Sequence, residues 1–170
     1  MLKSAEAIAK FWQAYQATLP ANTPQFPVQE KPYQVNQFGD NPALIRELTQ
    51  LVLSGTKTAT CSALCEWEAE GEELPTIGSK TITLDENNQP VCIFETTEVI
   101  LQPFNQVDAQ FACDEGEDDR TLETWRQEHW KYFSRVLPTI GKEPSPTMML
   151  VCERFRVVYP RSANKPGQTI

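Results

Sequence analysis

The segment from Asp40 to Ser62 constrains the fold of this chain more than any other. Leu44, Leu48, Leu51 and Val52 recur at helical spacing, Asp40 or Asn41 supplies an N-cap, and Pro42 sits in the first turn, where its missing N–H costs nothing. Gly55 falls where a left-handed C-cap is cheapest. The pattern predicts a helix that stops sharply and hands the chain to Thr56-Lys57-Thr58-Ala59-Thr60-Cys61-Ser62. Lys57 and Thr60 therefore leave a rigid support, as a preorganised site requires.

Around that frame, 170 residues make one domain of ordinary size with chain left for appendages. Apolar positions at helical spacing behind a Ser4 cap predict an N-terminal helix over 4–19. Pro20, Pro24, Pro27 and Pro32 then mark extended connecting chain, so residues 1–36 read as a helical arm and a proline-rich link. A short helix is expected over 63–70, and strands over 80–84 and 91–101 form a hairpin about the turn at 85–90. Residues 104–111 fit either helix or strand, and 113–119 read as an acidic loop. A helix is expected over 121–137 and a closing strand over 147–159, with 160–170 as a frayed tail.

Composition narrows the chemistry. A net charge of −8 disfavours a protein that grips long nucleic-acid backbones, which takes clustered cations, and no DNA partner is expected. No apolar run suits a signal peptide or a membrane span, so the chain reads as cytoplasmic. Cys61, Cys65, Cys92, Cys113 and Cys152 contain no CxxC pair and are expected as reduced thiols. With His129 as the sole histidine, no metal site and no cofactor are expected.

Several segments together resemble a known family. These are Phe38-Gly39-Asp40-Asn41-Pro42, Leu53 to Cys61, Glu66 to Glu72, Phe94 to Val99, and His129 to Arg135. In order and spacing they resemble bacterial ASCH-domain proteins over residues 37–159. The resemblance implies an α+β, PUA-like fold, a small β-barrel with flanking helices, whose cleft suits a nucleoside or short RNA.

It also implies activity. One branch of the family is similar to metal-independent amidohydrolases that remove the acetyl group of N4-acetylcytidine, and its Lys-x-x-Thr pair and strand glutamate correspond here to Lys57, Thr60 and Glu95. Another branch resembles ribonucleases or RNA-binding modules that use the same lysine and the serine corresponding to Ser134. Ser62, Trp67, Ser134 and Arg135 are the expected substrate contacts. Cys61-Ser62 stand where the deacetylase pattern has an arginine close by, which leaves the substrate open.

In the deacetylase reading the Thr60 hydroxyl attacks an amide carbonyl once a base removes its proton. Lys57 can act as that base only if its pKa falls several units from about 10.4. A charged Lys57 would instead stabilise the oxyanion. The resemblance favours Lys57 as activator and Glu95 as proton donor, the latter suited if burial raises its pKa. If Glu95 faces solvent, Glu98 on the opposite face is its rival. The residues have plainer readings too: Thr60 as a strand former, Lys57 as a solvated lysine, His129 as a hydrogen-bonded helix residue, Cys61 as a small hydrophobe, and the acids of 114–119 as a solvated loop.

Overall fold

The computed structural model describes residues 2–20 and 32–160. The link expected over 21–31 and the tail beyond 160 lie outside them.

Among the described residues, five α-helices and five strands follow one another. Helix α2 (Pro42–Ser54) is the element the sequence marks best, and its caps explain why. The Asn41 side chain accepts from the Leu44 N–H, and Gly55 closes the helix at φ 76° with its own N–H returned to the last turn. Helix α1 (Leu2–Gln16) begins before Ser4, which is therefore an internal residue and not the cap, and it ends three residues short of the expected Leu19.

The strands are β1 (Gln34–Asn36), β2 (Ala59–Ala63), β3 (Lys80–Leu84), β4 (Pro90–Pro103) and β5 (Met149–Tyr159). They form one mixed sheet in the order β1-β3-β4-β5-β2, curled into a half-barrel. β3 and β4 are the expected hairpin, turned by Asp85, whose carboxylate accepts from the Asn87 and Gln89 N–H groups at 2.8 Å each. β1 pairs in parallel with β3 inside the stretch read as connecting chain, so the sheet starts at Gln34. Three residues are too few to show alternation.

Helices α3 (Leu64–Glu70), α4 (Ala109–Glu115) and α5 (Leu122–Val136) complete the fold. The ambiguous stretch resolves into a 3-10 turn over Phe104–Gln106 followed by α4, so the first residues of the expected acidic loop are helical. Ala59 and Ala63 of β2 and Leu150 and Cys152 of β5 meet Phe111, Trp125 and Phe133 in one buried cluster. Phe94 and Phe155 pack with Phe38, Leu48 and Val52 in a second, and Ile82 and Ile93 pack against α1 through Tyr15 in a third. Because strand side chains alternate, these clusters assign the faces: Cys61 shares the face of Ala59 and Ala63, while Thr60 and Ser62 point the other way.

Candidate functional site

Lys57 stands between the first two clusters. Its backbone is fixed on both sides, because the Thr56 and Lys57 N–H groups both return to the Leu51 carbonyl and the Thr58 N–H donates to Asp114 at 2.8 Å. Gly116 presses so close that a Cβ there would lie 2.5 Å from the Thr56 carbonyl oxygen. The side chain is almost wholly buried, at 2% exposure. Its ammonium donates to Glu115 Oε2 at 2.8 Å and to Glu117 Oε1 at 2.5 Å, and it lies 5.6 Å from the centre of the Phe38 ring. Burial alone would lower the lysine pKa, but the charges of Glu115 and Glu117 outweigh it and raise the value above its ordinary level.

Glu115 carries the rest of the network. Its other oxygen accepts from the Trp125 indole N–H at 3.1 Å and lies 3.4 Å from His129 Nε2. His129 Nδ1 lies 3.0 Å from the Trp125 carbonyl, and its ring stacks on the Trp125 ring at 4.2 Å. A carbonyl faces one ring nitrogen and a carboxylate the other, and both are acceptors, so the doubly protonated imidazolium satisfies both. Burial would depress the histidine pKa, yet the Glu115 carboxylate raises it. Burial would likewise raise Glu115, but Lys57 and His129 hold it well below the usual carboxylate range. The reading of 114–119 as a solvated loop is thus corrected at Glu115, which is 1% exposed because a buried ammonium needs a buried counter-charge.

Cys61 Sγ, a Glu115 oxygen and a His129 nitrogen lie within 4.8 Å of one another, and such donors can hold a metal ion. Lys57 already supplies the positive charge at this point, and both Glu115 oxygens are engaged. The Cys61 thiol is pushed up by burial and then by Glu115, so the neutral thiol is the favoured form.

The other expected site residues are spread over the molecule. Thr60, half-buried, is the register partner of Glu153 on β5. Glu95 is the register partner of both Lys80 and Arg156, and its carboxylate meets them at 2.8 and 2.7 Å. Burial would raise the Glu95 pKa, but the hydrogen bonds from Lys80 and Arg156 outweigh it and hold the carboxyl below its ordinary value. Glu95 shares the face of Ile93 and α1, away from Phe94 and Phe155, and the carboxylates in contact with Lys57 are Glu115 and Glu117. The rival Glu98 is bound to Arg154.

Ser62 accepts from the Trp67 indole N–H at 2.6 Å, so these two engage each other. Arg135 reaches Asp40 beside the start of α2 and lies over the Tyr132 ring, while Ser134 is exposed on the same helix. The Tyr132 hydroxyl donates to Glu66 at 3.2 Å. Asp40, Arg135, Tyr132 and Glu66 thereby tie the starts of α2 and α3 to α5.

Two groups escaped the sequence reading: the Glu115–His129 pair and Glu153. The four-residue spacing of the Trp125, His129 and Phe133 stripe did mark a helix face, but its buried carboxylate partner comes from another element.

A mixed sheet curled into a half-barrel, flanked by helices and carrying a buried lysine at the exit of α2, defines an α+β protein of the PUA-like type. The family model of the ASCH domain matches residues 34–159, and the chain belongs to the ASCH-domain family, which is linked to RNA binding or hydrolysis. The crystal structure of an ASCH domain from Lactobacillus crispatus JV V101 superposes with a TM-score of 0.82 at 29% identity, over 89% of this chain and 94% of that one. A protein of Enterococcus faecalis V583 superposes with a TM-score of 0.75 at 38% identity, over 93% of this chain and 90% of that one. No curated protein matches the chain. No described helix is long and apolar enough to cross a membrane.

Proposed function

We propose that this ASCH-domain protein is a hydrolase of N-acylated pyrimidine nucleosides or related nucleotides, in which Thr60 attacks the acyl carbonyl and Lys57 serves as a fixed cation. The observation that carries the reading is the Lys57–Glu115–Glu117 contact. A buried ion pair is weak support for folding, since apolar residues in its place are often as stable, and buried charge clusters gather at functional sites. The same contact supports one of the two roles of Lys57 over the other. An ammonium held by two carboxylates is a poor proton acceptor at neutral pH, which leaves the cationic role as the one this contact favours. Glu115 lies beside Lys57 and in this reading orients and holds the cation.

The net charge of −8 favours a nucleoside-sized ligand over a long RNA, because few cations are left to neutralise a phosphate chain. The test is release of free carboxylic acid from N4-acetylcytidine and its longer-chain acyl homologues. Wild type is expected to turn over at least one of them. Binding of these nucleosides without turnover by any would replace the hydrolase with a binding module.

A further inference from the structure

We infer that Glu153 is the proton acceptor and donor for Thr60, a pairing that rests on the hydrolase reading and supplies the acid–base group which Lys57 and Glu95 do not. Glu153 is buried in the middle of β5, at 8% exposure. Among the described residues no lysine or arginine bridges it, whereas Glu95, Glu98 and Glu115 all have cationic partners. Among the described residues its carboxylate accepts one hydrogen bond, from the Thr96 hydroxyl to Oε1 at 2.6 Å. β4 carries an extra residue, Thr97, between the pairs Thr96↔Phe155 and Glu98↔Arg154, and such a bulge re-aims side chains. Thr60 and Glu153 are direct cross-strand partners on an antiparallel ladder. Their side chains therefore leave the same face of the sheet with Cβ atoms about 5 Å apart. β2 is an edge strand and Thr60 is only half-buried, so a substrate carbonyl can reach its hydroxyl from the open side.

The environment supports the geometry. Burial pushes the Glu153 carboxyl up to about 7, with the Thr96 hydrogen bond opposing. Glu115, by contrast, is held far down, and two carboxyls whose surroundings drive them apart are the pattern of divided acid–base roles. Neighbouring Arg154 projects to the other face, where it meets Asp114 and Glu98, so Thr60, Thr96 and Val99 are what β2 and β4 place opposite Glu153.

The steps balance without a further reagent. Thr60 Oγ gives its proton to Glu153 as it bonds to the acyl carbon, and the carbonyl oxygen takes the electron pair. When the intermediate collapses, the C–N bond breaks and Glu153 returns the proton to the departing exocyclic nitrogen. Water then enters the threonine ester, losing a proton to Glu153. The carboxylic acid leaves, and the proton returns to Thr60.

The experiment is the pH profile of kcat/KM for acetate release by the full chain and three variants. Wild type should show a rising limb with its midpoint near neutrality. Glu153→Gln should lose at least about 100-fold in rate together with that limb, and Thr60→Val/Glu153→Gln should be no slower than Thr60→Val. Thr96→Val, which removes the bond that favours the ionised form, should move the limb to higher pH. A full rate and an unmoved limb in Glu153→Gln would overturn the inference while leaving the hydrolase intact, as would an unmoved limb in Thr96→Val should Glu153→Gln not fold. A wild type inactive on every acylated nucleoside removes the hydrolase reading and this inference with it.

Discussion

Lys57 and Glu115 lie 58 positions apart in sequence and meet at 2.8 Å in the interior, each with 1% of its side chain exposed. Each buried charge is compensated by the other, with Glu117 and His129 as the further partners. The pair thus joins the exit of α2 to the end of α4, and it holds the lysine in its charged form.

Removing one partner should therefore cost more than removing both. Lys57→Met leaves Glu115 buried without its ammonium and is expected to lose about 3–5 kcal/mol. Lys57→Met/Glu115→Gln should recover most of that loss. Urea denaturation of the two variants decides the point, and a loss below about 1 kcal/mol for Lys57→Met would mean that the pair is not coupled to folding.

Gly116 and Gly141 both sit in the left-handed region, at φ 73° and 71°. An added Cβ at Gly141 meets nothing within 4 Å, whereas at Gly116 it meets the Thr56 and Lys57 backbone. Gly141→Ala is expected to cost about 1 kcal/mol, the conformational penalty alone. Gly116→Ala should cost at least about twice that and also lower activity, because the clash displaces the Lys57 backbone. Equal thermal shifts in the two variants would show that the close approach carries no strain.

Among the groups whose folded-state pKa values are shifted, His129 and Glu153 are both raised and make stability fall as pH rises. His129 has a raised pKa in the folded state, so its contribution is complete below about pH 6.5, the unfolded value, and is lost as pH rises through the folded value. Glu153 is also raised, to about 7, which means the folded state keeps a proton that the unfolded chain releases near 4.5. Its penalty grows across that window and is complete above it. Glu153→Gln should match wild type near pH 4 and exceed it by about 3 kcal/mol at pH 8. Denaturation at the two pH values checks this, and a difference that does not change with pH would place the Glu153 pKa near its ordinary value.

Local signals were legible wherever a single segment settles its own conformation. The Asn41 cap and Gly55 bound α2, Thr121 caps α5, and the Asp85 turn joins β3 to β4, each through contacts only a few residues apart. β1 was not legible, since its three residues are a strand only because β3 lies beside them. The same distinction governs the site. Lys57 was marked by its place after the helix, but the choice of its carboxylate depends on which element the fold brings alongside. Glu115 lies in an acidic run whose other members are more exposed, and nothing local separates it from them. Glu95 sits in a strand of convincing alternation, yet the register places it between Lys80 and Arg156.

The hydrolase account rests most heavily on Thr60 as the reacting group, and the most direct measurement is rapid-quench mass spectrometry of the protein mixed with N4-acetylcytidine. The account predicts a transient gain of one acetyl group on the peptide that carries Thr60, absent in Thr60→Val and decaying as acetate appears. Acetate released at the full rate by Thr60→Val, with no modified peptide at any time point in wild type, would contradict it.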